Sequence, residues 1–385
     1  MRPDISQNSS YLLAVTGSAA KGLPAPEKPD GVDWGELFAA ADAHDLAPMA
    51  YHSLCALRPG DEALAPFREA QRRSMRRSFM QEAEARRVFS ALESRGVDYC
   101  PLKGWFTREL YPEPSMRVMS DVDILVRPCD RPVSKQIMEE LGYTCIRYDT
   151  ADDDKYKRNG LLIEFHTGLD SDGVADPSRY EDPWKLTERL TEHGFRMTAE
   201  EAYLYTAAHA MKHFMNMGLG IRVLVDVYLY LKKGGLDTDL VERGAEELGI
   251  QRFLHVLQKT ALAAFGGEEF DPDSAEVLRF MLACGAGGTS EIYENSRMLR
   301  LGGGKPSKGK YMLRRVFPSL EEMKKRDGIL KKHPRLLPVM YVRRWFQLLF
   351  SKRERLNNGL QKVSRLSAEE AEKLKRIYDI AGIDQ

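Results

Sequence analysis

The sequence predicts an α+β protein, with a small mixed β-sheet core between a helical N-terminal cap and a large helical C-terminal region. Three observations carry this. Short β-branched runs alternate with helical stretches only between about residues 96 and 170. A segment rich in helix formers and charge, "DEALAPFREAQRRSMRRSFMQEAEARRVFSALES" (61–94), precedes that span and stops before Gly96. Beyond about Asp182 the β signals nearly vanish and helical patterns take over. The expected divisions are a helical region over 1–95, an α/β core over 96–170 and a helical domain over 171–385.

Taken in order, a turn-rich stretch, "GLPAPEKPDG", leads into the first clear helix signal, "VDWGELFAAADAHDLAPMAYHSL". Within the core, "VDYCPL" reads as a short strand, "GWFTRELY" as a helical turn or two and "SDVDILV" as a strand. "RPVSKQIMEELG" is a helix that Gly142 stops. "YTCIRY" and "LLIEFHTGL" follow as two further strands joined by a polar hairpin, "DTADDDKYKRNG", so the sheet is partly antiparallel. "TAEEAYLYTAAHAMKHFMN" opens with Thr198 as N-cap and Glu201 at capping-box spacing. "LGGGKPSKGK" is an exposed loop. Near the end, Leu337, Tyr341, Trp345 and Leu348 recur as on a core-facing helix, with Arg343, Arg344, Lys352, Arg353 and Arg355 as its solvated side. That reading is preferred to a membrane or RNA surface.

Composition narrows the function. Lys+Arg and Asp+Glu number 57 each in 385 residues, so bulk charge points to neither nucleic acid nor membrane. No DNA partner is expected, and an anionic substrate must be attracted locally. The five cysteines are scattered without a CxxC pair, which argues against a disulfide framework or structural zinc and fits a reducing cytosol. The apolar run Tyr11 to Val15 is too short for a signal-peptide core, and no stretch approaches a membrane span. A cytoplasmic protein is expected.

Chemistry concentrates in "SDVDILV". On a strand, Asp121 and Asp123 share one face while Val122, Ile124 and Val126 face a core. Two like charges at that spacing repel unless something positive sits between them. The choice is between a strand end in water and a divalent metal site. Glu164, inside the apolar "LLIEF", sharpens the second, since a buried carboxylate needs a sheet end or a cation. Three such carboxylates suit Mg²⁺, which keeps waters and takes further ligands from phosphates. Lys103–Gly104 follows a strand and opens a helix, where backbone N–H groups and a lysine can hold phosphate. Arg117 offers a planar fork. The plain alternatives are a surface lysine, and an ion pair of Arg117 with Asp121 or Glu113.

The ordered set "LKG…LYP…R…SDVDILV…LGY", followed by "IEFH", resembles the uncharacterised nucleotidyltransferase family of bacteria, a branch of the polymerase-β-like superfamily. The likeness extends to "VDWGELFAAADAHDLAPMAYHSL" and to "AAHAMKHF…IRVLVDVYLYL", and more loosely to "RRVFPSLEEMKKRDG", covering roughly residues 30 to 345. It implies a minimal nucleotidyltransferase sheet that moves a nucleoside monophosphate from an NTP co-substrate to an acceptor with Mg²⁺ or Mn²⁺. Asp121, Asp123 and Glu164 would be the catalytic, metal-binding carboxylates. Lys103, Gly104, Arg117 and Ser120 would bind the nucleotide, and the acceptor is left open among protein, small molecule and RNA.

His209 and His213 lie at i and i+4 on one helix face, as do Arg222 and Asp226 on the next, where they are placed to pair with each other. The resemblance puts these four near the cleft, and with His166 they are candidates for holding the acceptor. Two other classes stay open. One is a catalytically inactive nucleotide-binding or interaction module, because Lys103–Gly104 and bulky Trp105 stand where the superfamily has two small residues. The other is a metal-dependent hydrolase on His209 and His213, although Ala210 occupies the place of a protease's glutamate base.

Overall fold

The computed structural model describes residues 3–57, 61–148, 153–170, 174–305, 307–326, 329–346 and 368–383. They form two compact units, one of residues 1–213 and 219–287, the other of residues 214–218 and 288–385.

The first unit begins with helices α1 (Gln7–Ala20), α2 (Trp34–Ala43), α3 (Ala47–Leu54) and α4 (Asp61–Ser94). The last spans the residues expected of it. Helix α1 was not anticipated. Its "YLLAV" run and small residues are buried on most sides (Tyr11, Leu12, Leu13, Val15, Ala19 and Ala20), so it carries no amphipathic stripe to read.

The sheet comprises β1 (Tyr99–Pro101), β2 (Val122–Val126), β3 (Thr144–Arg147), β4 (Asp154–Arg158) and β5 (Leu161–His166), in the order β1-β2-β5-β4-β3. Only β2 and β5 run parallel; the other neighbours are antiparallel. This is the mixed sheet that the sequence predicts, with one strand more. "DKYKR" reads as part of a polar hairpin but forms β4, because alternation puts Asp154 and Tyr156 inside and lines Lys155 up with Glu164. The single turn α5 (Gly104–Thr107) follows β1, and between β2 and β3 runs α6 (Arg131–Glu140). Leu92, Val122, Ile124, Val126, Ile137, Tyr156, Ile163 and Phe165 join in one core under the sheet.

A short hairpin, β6 (Thr187–Arg189) with β7 (Phe195–Met197), is also new relative to the sequence reading, its three-residue strands being too brief to show a period. Then come α7 (Ala199–Met217), where Thr198 Oγ1 accepts from the Glu201 N–H at 3.4 Å as the capping spacing predicts, and α8 (Arg222–Lys233). Among the described residues no helix is long and apolar enough to cross a membrane.

The stretch between β1 and β2 holds only single helical turns and loops, and one buried ion pair fixes it to α8. Arg117 Nε and Nη2 each donate to the Asp226 carboxylate at 2.9 Å, and Tyr111 Oη donates to its Oδ1 at 2.7 Å. The expected Arg222–Asp226 pair is replaced by this one; Arg222 instead reaches Val118 O at 2.5 Å and Asp45 at 3.2 Å. Gly104 makes the approach possible, since a Cβ there would lie 2.2 Å from Arg117 Nη1.

In the second unit, Met323, Leu330 and Met340 form a small core against which Leu337 and Tyr341 pack. Tyr341 and Trp345 stack on each other and both meet Phe317 edge-on, in agreement with a core-facing helix. Leu348, Lys352, Arg353 and Arg355 lie outside the described residues.

With side chains only 11% and 4% exposed, Arg117 and Asp226 cannot be separated cheaply. Asp226→Asn should destabilise the protein by about 3–5 kcal/mol in denaturant unfolding, because it strands a buried guanidinium. The double variant Arg117→Met, Asp226→Leu should cost clearly less than Asp226→Asn alone.

Candidate functional site

The site grows from the parallel pairing of β2 and β5. Their register sets Asp123 beside Glu164, on the same face, and His166 follows two residues later on that face. Asp123, Glu164 and His166 each offer a ligand atom, and the three atoms lie within 4.8 Å of one another. Asp123 is 8% and Glu164 5% exposed, so neither charge is met by bulk water.

An imidazole and two ammonium groups meet them instead. His166 Nε2 lies 2.6 Å and Lys103 Nζ 3.1 Å from Asp123 Oδ1. Lys155, on β4, pairs with Glu164. Burial raises the pKa of the Asp123 carboxyl, but Lys103 and His166 overcome it and hold the group well below the usual carboxylate range. Burial likewise works against the Lys103 charge, and Asp123, with Tyr205 and Asp121 behind it, holds that ammonium above its ordinary value.

Lys103 reaches Asp123 because the chain turns sharply after β1. The Leu102 N–H donates to Asp123 O at 2.9 Å, and Lys103 itself has φ 48° and ψ −120°, a conformation that side-chain-bearing residues rarely adopt. The helix that opens there, Gly104–Thr107, is a single turn, so Lys103 itself brings more charge than any helix dipole.

Of the residues singled out in the sequence, the structure brings Asp123, Glu164, His166 and Lys103 together. Asp121 stands one residue ahead of β2, half-buried, outside the three-ligand group, and accepts from Ser120 Oγ at 2.9 Å. Ser120 is exposed, and its carbonyl takes a hydrogen bond from Arg77 on α4 at 2.6 Å. Gly104 and Arg117 belong to the clamp on Asp226 described above, and Arg222 to Asp45 and Val118.

Helix α7 puts Tyr205, His209 and His213 on one face. The two histidines meet Nε2 to Nε2 at 2.9 Å, with ring centres 4.5 Å apart. Burial, then the nearby Lys103 charge, then His213 push His209 down to about 3, so it is neutral near pH 7. Its Nδ1 is buried without a hydrogen-bond partner. Lys212, on the same helix, pairs with Asp170.

Four contributors escaped the sequence reading: Lys155, Tyr205, Asp170 and Lys212. Lys155 was findable, since "DKYKR" alternates as a strand with Tyr156 inward. The others meet the site only through packing.

Two carboxylates and an imidazole converging in a field strong enough to keep Asp123 ionised fit a divalent cation as a donor set. The imidazole suits Mn²⁺ better than Mg²⁺.

Comparison with known proteins gives the following. A family model described as uncharacterised nucleotidyltransferase matches residues 30–266, well over half of the chain. No curated protein matches significantly. A solution structure of the antibiotic-resistance factor ANT(2'')-Ia aligns at 14% identity and TM-score 0.28, over 49% of this chain and 95% of that one. A crystal structure of ANT(2'')-Ia with adenylyl-2''-tobramycin aligns at 15% identity and TM-score 0.26, over 49% of this chain and 98% of the other. Likenesses this slight carry no argument.

The depressed His209 has a stability consequence with a definite sign. Its folded value, about 3, lies below the ordinary 6.5, so the unfolded chain binds more protons between those values and stability falls as pH drops through that window. The loss can reach about 1.4 kcal/mol per pH unit. Relative to wild type, His209→Gln should flatten the unfolding free energy between about pH 6.5 and 5.5, above the range where ordinary carboxylates titrate. Parallel curves would show that His209 is not held neutral.

Proposed function

The chain belongs to the uncharacterised nucleotidyltransferase family, and on that premise we propose that the Asp123–Glu164–His166 group is the catalytic centre of a metal-dependent transfer of a nucleoside monophosphate. The acceptor oxygen forms a bond to the α-phosphorus of an NTP, the bond from that phosphorus to the bridging oxygen of the β-phosphate breaks, and pyrophosphate leaves with the electron pair. The observation that supports this most is the convergence of three ligand atoms within 4.8 Å on one face of β2 and β5.

Asp123 and Glu164 hold the metal ion in this reading, with His166 as nitrogen ligand and Asp121 at the rim. When bound, a divalent ion supplies positive charge to the phosphate oxygens as they become more negative. Lys103, already buried beside Asp123, holds the triphosphate by charge. Arg117 acts at one remove, since its fork is committed to Asp226 and fixes the chain between Gly104 and β2. A glutamate next to the ion can take the acceptor's hydroxyl proton, and Glu164 has that role in this reading. His209 and His213, neutral and beside Lys103, are suited to hydrogen-bond an uncharged acceptor group. The hydrolase reading has less behind it, because the two histidines turn their Nε2 atoms to each other and, among the described residues, join no three-ligand group.

The test uses each NTP labelled at the α-phosphate, with Mg²⁺ or Mn²⁺, and a lysate fractionated into protein, RNA and small molecules. Label should move to one fraction with release of pyrophosphate, and Asp123→Asn should lower the rate by at least about a hundredfold. Nucleotide binding without transfer in any fraction would favour the inactive binding module. Normal transfer by Asp123→Asn would remove the site from consideration.

A further inference from the structure

We propose that Lys103 is a placeholder cation, whose ammonium occupies the Asp123 carboxylate until a nucleotide arrives, so that the divalent ion enters only together with the triphosphate. This rests on the metal-dependent reading above and adds an order of binding to it.

The inference follows from local charge. Without a ligand, Asp123, Glu164 and Asp153 are paired with Lys103, Lys155 and Arg147, and the sum of these six charges is zero. The Asp123 and Lys103 side chains are 9% and 19% exposed, so solvent does little to screen the pair. A divalent ion arriving alone would compete with Lys103 for Asp123 Oδ1, which already accepts from His166 as well. Success would leave an excess of two positive charges in a poorly hydrated place. A triphosphate removes the conflict, since its oxygens take the displaced ammonium and balance the ion.

The backbone points the same way. Among the described residues, three that are not glycine have positive φ: Asp45, Lys103 and Asn159. Asp and Asn tolerate that region because their short side chains bond locally, whereas lysine has no such reason to be there. At Lys103 the strained conformation coincides with the contact of its ammonium with Asp123.

Mn²⁺ binding, read by loss of the free-ion resonance signal, tests this without any turnover. It is measured with and without a non-hydrolysable NTP analogue for wild type, Lys103→Gly, Lys103→Met and Lys103→Arg. Glycine suits the backbone at this position and methionine keeps the side-chain volume, so failure of one variant to fold leaves the other. Without nucleotide, Lys103→Gly and Lys103→Met should bind Mn²⁺ at least about tenfold more tightly than wild type and Lys103→Arg. Adding the analogue should strengthen Mn²⁺ binding by wild type at least about tenfold, and by Lys103→Gly much less. Equal affinity of wild type and Lys103→Gly in the absence of nucleotide would overturn the placeholder while leaving the metal site standing. No Mn²⁺ binding by any variant, with or without the analogue, would remove the metal site and the placeholder with it.

Discussion

Two carboxylates buried side by side constrain everything around them. The parallel register of β2 and β5 places Asp123 next to Glu164, and a strand pair that closes a core has no freedom to turn one of them out to water. An ionised carboxylate in that setting costs several kcal/mol unless it is matched. The fold answers with one cation for each, Lys103 from the turn after β1 and Lys155 from the neighbouring β4, and with His166 between them. The polar strand β4 is intelligible on this ground. Only a strand in register with β5 brings an ammonium to the height of Glu164 while its alternate residue, Tyr156, fills the core.

Placing Lys103 requires that the chain after it be held, because the single turns and loops between Gly104 and β2 could otherwise let the turn relax. Two helices hold it from different directions. On α4, Arg77 and Gln81 donate to the carbonyls of Met119 and Ser120, and Ser74 donates to that of Ser115. On α8, Asp226 takes the Arg117 fork and the Tyr111 hydroxyl. These contacts touch neither Asp123 nor Glu164. They decide where the lead into β2 lies, and hence that Asp121 stops short of the group while Asp123 enters it. The bare Cα of Gly104 belongs to the same device.

The alternation of strand and helix between residues 96 and 170, the long α4 and the capping of α7 were all legible, because each is a local periodic or capping signal. Asp123 and Glu164 were legible for a different reason, as charges inside apolar runs, which is a conflict that only a site or a cation resolves. What was illegible depends on contacts between distant residues. No spacing rule pairs Arg117 with Asp226 in place of Arg222. Nothing in "SDVDILV" says that the strand begins after Asp121, since strand ends are set by which partners are available for pairing. Helix α1 was missed because burial on most sides erases the stripe by which a helix is recognised.

The histidines of α7 complete the electrostatic picture. His209 and His213 stand near Lys103, whose charge adds to burial in keeping both below their ordinary values. An imidazolium there would put a further positive charge beside two ammonium groups and, in the proposed reaction, beside a divalent ion. Neutral rings avoid that while still offering N–H donors and lone pairs. The side of the centre facing α7 therefore offers neutral imidazoles and a Lys212–Asp170 pair of no net charge, and the side facing β4 and β5 carries the carboxylates of the site. Such a division suits a reaction whose nucleotide is highly anionic and whose acceptor brings an uncharged oxygen, since each substrate meets the surface whose field matches its own.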